Sequence, residues 1–249
     1  MTEKMIIPYK DSTESKKKQI AKMFDNIAIK YDFLNHFLSL GIDRYWRKKT
    51  ISRIKKENPQ TILDVATGTG DLAIEAARLN PKKIVGIDIS SQMLEIGKAK
   101  IAKKNLTKLI DIQHGDSENM NFPENSFDVV MVAFGVRNFE NLQAGIDEMF
   151  RVVKPEGKVF ILEFSMPQKP PFKQIYNFYF NKILPFWGRT FSKDKNAYVY
   201  LPESVKKFPP KSDFLNILTN AGFSEIDFHN MTLGVVRLYV AKKEKCQTI

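Results

Sequence analysis

Thr61-Ile62-Leu63-Asp64-Val65-Ala66-Thr67-Gly68-Thr69-Gly70-Asp71 is a β-branched, apolar run that enters a glycine turn. Ile84-Val85-Gly86-Ile87-Asp88 is a second apolar run that ends on an acid. The first run reads as a strand, and a helix is expected to begin at about Asp71. Gly68 and Gly70 let the backbone turn sharply and approach a ligand with no Cβ in the way, while the unpaired N–H groups of the helix start face the same crevice. An acid closing the next strand is placed for a ribose diol, so Asp88 completes a nucleotide-type site.

Two ligands fit, and they want different neighbours. Gly68-x-Gly70-x-x-Ala73 satisfies the dinucleotide pattern, which sets a pyrophosphate over the loop. S-adenosylmethionine has no phosphate but carries a sulfonium and an ammonium, so its site favours carboxylates, and Asp64 and Asp71 flank the glycines. Asp116 follows a third apolar run over 109–115 and could meet an adenine amino group; Thr67 and Ser117 complete the candidate cofactor set. The acids point to S-adenosylmethionine, with NAD or FAD as the alternative. No Gly-Lys-Ser/Thr follows the loop, which argues against a Walker-type phosphate site.

At 249 residues and 43% hydrophobic composition, one α/β domain with an embellishment is the default. The single cysteine, Cys246, excludes an intrachain disulfide and reads as a tail thiol. The amino terminus lacks a signal-peptide core, and no run approaches the ~20 apolar residues of a membrane span, so a cytoplasmic protein is expected. The net charge of +11 comes from clusters at 16–18, 44–56, 98–104 and 193–211 that are mixed with apolar and acidic residues. They read as solvated helix faces, with weak attraction to anionic lipid second. His36, His114 and His229 lack ligand spacing, and no metal is expected.

Residues 12–56 read as helical, with Ile20, Phe24, Ile27, Tyr31, Leu34 and Phe37 three or four apart. Strands are expected near 61–66, 83–88, 109–114, 127–133 and 158–164, with helices near 71–79, 91–104 and 141–152. Lys154-Pro155-Glu156-Gly157 reads as a turn, of type I if Glu156 is to be comfortable in its third position. A helix over 211–221, capped by Ser212 and stopped by Gly222, leads to strands over 223–229 and 234–242 that read as a closing hairpin. Seven strands ending in a hairpin are the plan of a Rossmann-like class I S-adenosylmethionine-dependent methyltransferase with a mostly parallel sheet.

More specific stretches agree. Tyr31-Asp32-Phe33-Leu34-Asn35-His36-Phe37-Leu38-Ser39-Leu40-Gly41-Ile42-Asp43-Arg44-Tyr45-Trp46-Arg47 resembles the first signature of the ubiquinone/menaquinone biosynthesis C-methyltransferases, and the stretch from Arg151 to Ser165 resembles the second. Phe134-Gly135-Val136-Arg137-Asn138 resembles their Phe-Gly-x-Arg-Asn segment after strand four. Asp43 stands where the family often has His, Glu156 where it often has Gly, and Ala133 where many members have Ser. The resemblance implies one methyltransferase domain over 1–249, with a lid at 1–56 and an aromatic-rich substrate or membrane insertion at 166–210. It further implies methyl transfer to a ring carbon of a prenylated hydroquinone, demethylmenaquinol first and the benzenoid ubiquinol precursor as alternative.

The chemistry that such a transfer needs is deprotonation, because a ring carbon is a poor nucleophile until the neighbouring hydroxyl ionises. Arg137 and Asn138, just past strand four, are the expected groups for that hydroxyl, with Tyr31 from the lid. Without the resemblance, Arg137 could equally pair with Asp128 or Glu163, and Asn138 could cap the next helix. Asp32, Asn35 and Arg44 join Tyr31 as polar tips of a quinol pocket. The insertion at 172–191 holds eight aromatics; Phe172, Tyr176, Tyr179, Phe180, Ile183 and Leu184 recur at helical spacing. That face suits a prenyl tail, the inner face of the cell membrane or a partner subunit, or packs on its own domain. Nucleic acid is not an expected partner, since strand four lacks the Asn/Asp-Pro-Pro-aromatic element used on exocyclic amines. Self-association into a homo-oligomer is left open.

Overall fold

A computed structural model describes residues 6–179 and 195–245. The helical N-terminal segment is two helices, not one: α1 (Lys16–Leu38) and α2 (Ile42–Ile54). They part where Leu40 (φ 52°) and Gly41 (φ 75°) turn left-handed, a backbone state that breaks helical periodicity. The alternation then runs β1 (Thr61–Val65), α3 (Asp71–Ala76), β2 (Lys83–Asp88), α4 (Ser91–Lys103), β3 (Ile110–His114), β4 (Phe127–Ala133), α5 (Leu142–Val152) and β5 (Val153–Phe164). Next come α6 (Phe172–Phe178), α7 (Lys195–Lys207), α8 (Lys211–Asn220), β6 (Ser224–Met231) and β7 (Val236–Lys242).

The seven strands form one sheet in the order β3-β2-β1-β4-β5-β7-β6. The first five are parallel, and β7 alone runs antiparallel to both its neighbours. Chain order reverses between β1 and β4, so the crevice beyond their carboxyl ends is where an open α/β sheet binds its ligand. Every residue of β4 from Val129 to Val132 is fully buried, which is why it reads as a continuous apolar run. Its period of two splits the core: Val130 and Val132 pack towards α5 and α8 with Leu63, Ile161 and Phe214, while Val129 and Met131 pack towards α2, α3 and α4 with Ile62, Leu162 and Ile101. A third cluster joins α1 and α4 to α7 through Ile20, Met23, Met93 and Tyr200.

Two local expectations change. Strand five begins at Val153, and Glu156 sits within it at φ 68°, so the position is one that favours glycine and the type I turn is not made. The N-cap of α8 is Pro210, while the Ser212 hydroxyl turns to Asp213. Helix α6 is a short element over Phe172–Phe178; Phe180, Ile183, Leu184 and Cys246 lie outside the described residues, as do the side chains of Leu34 and Phe37.

Candidate active site

Two cavities open beyond the carboxyl edge of the sheet, and they share three side chains. Gly68 from the β1 loop, Asp88 from β2, Asp116, Ser117 and Glu118 after β3, and Ala133, Gly135 and Asn138 after β4 line the first. The second, about 340 Å³, is enclosed by α1, α2, α6, α7 and the β6–β7 turn, and most of its wall is apolar. Phe24, Tyr31 and Phe134 belong to both linings, so the cavities meet at these rings.

The first cavity is built on strained backbone. Gly68 and Gly70 have φ of 57° and 78°, and Ala66 and Phe134, which end β1 and β4, hold φ of 51° and 61° without being glycines. The two loops press together so closely that a Cβ at Gly135 would stand 2.7 Å from that of Ala66. Asp88 fixes the loop: its carboxylate accepts from the Gly68 N–H at 2.8 Å and the Ser90 N–H at 2.9 Å. Burial pushes its pKa up against those donors, and its position on the lining suits a diol.

Asp64 is placed otherwise than expected. It is fully buried behind the loop, accepting from the Thr67 hydroxyl at 2.6 Å and the Ala73 N–H at 3.1 Å, and neither it, Thr67 nor Gly70 lines the cavity. Burial pushes its carboxyl up to about 7, against those two donors. Asp71 is likewise turned away, paired with Lys100. The carboxylates that do line the cavity are Asp88, Asp116, Glu118 and Glu140, against the single cation Lys17. That lining suits a cationic ligand and opposes a pyrophosphate. Lys17 has no signal in the sequence beyond a charge run, yet its ammonium lies 2.6 Å from Asp116 and 3.2 Å from Glu118.

In the second cavity Arg137 makes one of the two pairings that its sequence position allowed. Its guanidinium pairs with the fully buried Glu163 at 2.9 Å and also lines the cavity, with Nε buried and without a hydrogen-bond partner. Asp128 instead pairs with Lys154. Asn138 faces the first cavity, its Oδ1 buried without a partner, and the cap of α5 is Asn141. Tyr31 hydrogen-bonds Asn35, and burial raises its pKa so that the phenol stays protonated.

Asp32 and Arg44 do not join the pocket. Asp32 accepts from Thr69 at 2.6 Å and from Lys100 at 2.7 Å on the far side of the glycine loop, and Arg44 is exposed. The guanidinium that matters in this segment is Arg47, which reaches Asp43 and lies over the Phe134 ring. Asp43 is buried and also accepts from Ser39 at 2.7 Å and meets His36 at 2.7 Å. Burial pushes this carboxyl up, but the Ser39 hydroxyl and Arg47 outweigh it and hold the pKa below the ordinary value.

Known proteins share both the sequence and the fold. The model of the ubiE/COQ5 methyltransferase family matches residues 12–243. The chain belongs to that family. A demethylmenaquinone methyltransferase of Bacteroides fragilis is 45% identical over 96% of this chain and 97% of its own length. A ubiquinone/menaquinone biosynthesis C-methyltransferase UbiE of Geotalea daltonii is 46% identical over 92% of this chain and 97% of its own. Among solved structures, the cyclase SpnF superposes with a TM-score of 0.68 at 16% identity, covering 92% of this chain and 97% of that one. A cyclase on this scaffold shows that the fold alone does not set the reaction; the signatures shared with the family carry the assignment to methyl transfer.

Proposed function

We propose that the chain transfers a methyl group from S-adenosylmethionine to a ring carbon of demethylmenaquinol, completing menaquinone. The observation that carries this reading is the meeting of an acid-lined cavity and a large apolar one at Tyr31, Phe24 and Phe134. S-adenosylmethionine supplies an electrophilic methyl group when bound. Asp88 would hold the ribose diol, Asp116 and Ser117 would receive the adenine, and Gly68 would leave room for close backbone approach. Asn138 Oδ1, without a protein partner, accepts from the ligand's ammonium. The apolar cavity takes the quinol ring and the start of its prenyl tail.

Within that cavity Arg137 acts on the ring hydroxyl. Its orientation is fixed by Glu163, so the positive guanidinium on the cavity wall stabilises the oxygen as it ionises. Ionisation delocalises charge onto the ortho carbon, the nucleophile to which bound S-adenosylmethionine would give its methyl group as the S–CH3 bond breaks and S-adenosylhomocysteine leaves. The carbon afterwards loses its hydrogen as a proton to restore aromaticity, and that proton passes to solvent. A cavity rim of exposed Leu40 and Leu233 favours a membrane surface as the place where the tailed acceptor enters.

Methyl transfer from labelled cofactor to reduced and oxidised demethylmenaquinone tests the reading. The quinol is methylated and the quinone, with no hydroxyl to ionise, is not; equal rates would overturn the phenolate route. Arg137→Ala by itself strands the buried Glu163 carboxylate at about 3–5 kcal/mol, so the informative variant is Arg137→Ala with Glu163→Gln. Its turnover should fall at least tenfold, about 1.4 kcal/mol of transition-state stabilisation, while cofactor affinity holds. Activity of the variant should climb with pH through the acceptor's own ionisation.

A further inference from the structure

Among the described residues, Tyr200 is a side chain that the mechanism leaves unexplained. It is only 4% exposed, it lines the apolar cavity from α7, and its hydroxyl is buried with no hydrogen-bond partner. Ala197, Tyr200, Leu201 and Ser204 repeat at helical spacing on one face of α7; the first three line the cavity, while the Ser204 hydroxyl is satisfied by the Leu201 carbonyl at 2.9 Å. A phenylalanine would fill the same space without an unmet hydroxyl, so packing alone does not account for the oxygen. The helix packs against the turn that carries Arg137 and Asn138, and Tyr200 feels the charges of both Arg137 and Glu163. Burial keeps the phenol protonated far above neutral pH, which leaves it a hydrogen-bond donor under any working condition.

A hydroquinone has two oxygens, para to one another, and Arg137 accounts for one. Tyr31 lines both cavities and therefore stands at the junction where the methyl group crosses, whereas Tyr200 lines the apolar cavity alone. Resting on the methyl-transfer reading above, we propose that the Tyr200 hydroxyl donates a hydrogen bond to the acceptor's second ring oxygen, the one para to the hydroxyl that ionises. Tyr200 is thus a recognition residue that orients the ring so that one carbon faces the cofactor. It also makes the cavity selective for a dihydroxylated ring, because a site built to bond a hydroxyl rejects an analogue lacking it.

Tyr200→Phe, made in the full chain, tests this with two acceptors: the prenylated hydroquinone, and an analogue lacking the para hydroxyl. On the hydroquinone, kcat/KM should fall about tenfold, the scale of one hydrogen bond in a buried site. On the analogue, variant and native rates should coincide. Cofactor affinity should hold, and the thermal midpoint should stay level or rise, since the lost hydroxyl has no partner in the protein. Unchanged kcat/KM on the hydroquinone, an equal loss on both acceptors, or a lower midpoint would overturn the assignment. Calorimetric binding of the hydroquinone, with S-adenosylhomocysteine present, separates this inference from the reaction it rests on. Native binding that Tyr200→Phe does not weaken overturns the role of Tyr200, whereas native binding without methyl transfer overturns the reaction.

Discussion

Asp64 shows how one buried carboxylate sets the behaviour of a loop. Its two hydrogen bonds tie Thr67 and Ala73 to the end of β1, while its other oxygen, Oδ1, has no partner. With its pKa raised from 3.8 to about 7, the folded protein binds a proton that the unfolded chain has already released between these values. Stability therefore falls as pH rises from about 4 to about 7 and is level above, and Asp88, raised by the same burial, adds a contribution of the same sign. Asparagine can accept both hydrogen bonds and has no proton to lose. Asp64→Asn should flatten that slope and stabilise the cofactor-free protein at pH 8 by on the order of 2 kcal/mol. Thermal unfolding of both proteins at pH 5 and pH 8 checks it; parallel slopes would show that Asp64 does not titrate in this range.

Helix α1 works as a cover that is pinned at its first turn. Lys16 donates to the Phe139 carbonyl at 2.6 Å, the Lys17 N–H meets Glu140, and the Lys17 ammonium reaches Asp116 and Glu118. Further along, Asp25 accepts from Ser90 at 2.6 Å, so α1 is fastened across the cavity that ends at Asp88 and Asp116. Lifting the first turn would break these contacts. The pair is partly exposed, with Lys17 and Asp116 side chains at 31% and 30%, so its contribution is about 1 kcal/mol or less. Lys17→Met should speed cofactor dissociation by up to roughly fivefold in dilute buffer. The difference should vanish near 1 M salt, where charges are screened within ~3 Å. Stopped-flow displacement at the two salt concentrations measures both; equal rates in dilute buffer would mean that the pair does not gate the site.

At the scale of the whole molecule, the mouth of the apolar cavity carries exposed apolar surface. Leu40 and Leu233 are 81% and 63% exposed, come from turns far apart in sequence, and both sit at positive φ. Leucine is a poor choice for an exposed left-handed turn on solvation and on backbone grounds alike, and both lie on the same rim. Among the described residues no helix is long and apolar enough to cross a membrane. With a net charge of +11, the protein should cosediment with anionic vesicles, more so at low salt. Leu40→Ser with Leu233→Ser should weaken that binding at least tenfold, given ~1.5–3 kcal/mol for burying a leucine. Turnover of a short-tailed, water-soluble acceptor should be spared. Vesicle binding that is unchanged by both substitutions would place the lipid contact elsewhere.

The strand–loop–strand run from Thr61 to Asp88 specified its own fold, because alternation, glycine spacing and a terminal acid are local properties that neighbours reinforce. The boundaries of β1, β2, β4 and α5 follow from that periodicity to within a residue, and Gly68, Asp88, Asp116, Ser117 and Asn138 do meet in one lining. The break at Leu40 and Gly41 was not legible, since apolar spacing continues through it and only the packed turn shows the change in backbone. Asp64 and Asp71 look like ligands beside a glycine loop, yet the pleat of β1 and the helix start aim them away from the cavity. Lys17 and Tyr200 carried no local signal, because each gains its role from a partner or cavity wall tens of residues distant. The sequence by itself determined which chemistry the chain carries, since signatures and turn residues are short-range; only tertiary structure decided which polar side chains line the cavities, since burial and direction are set by elements that meet after folding.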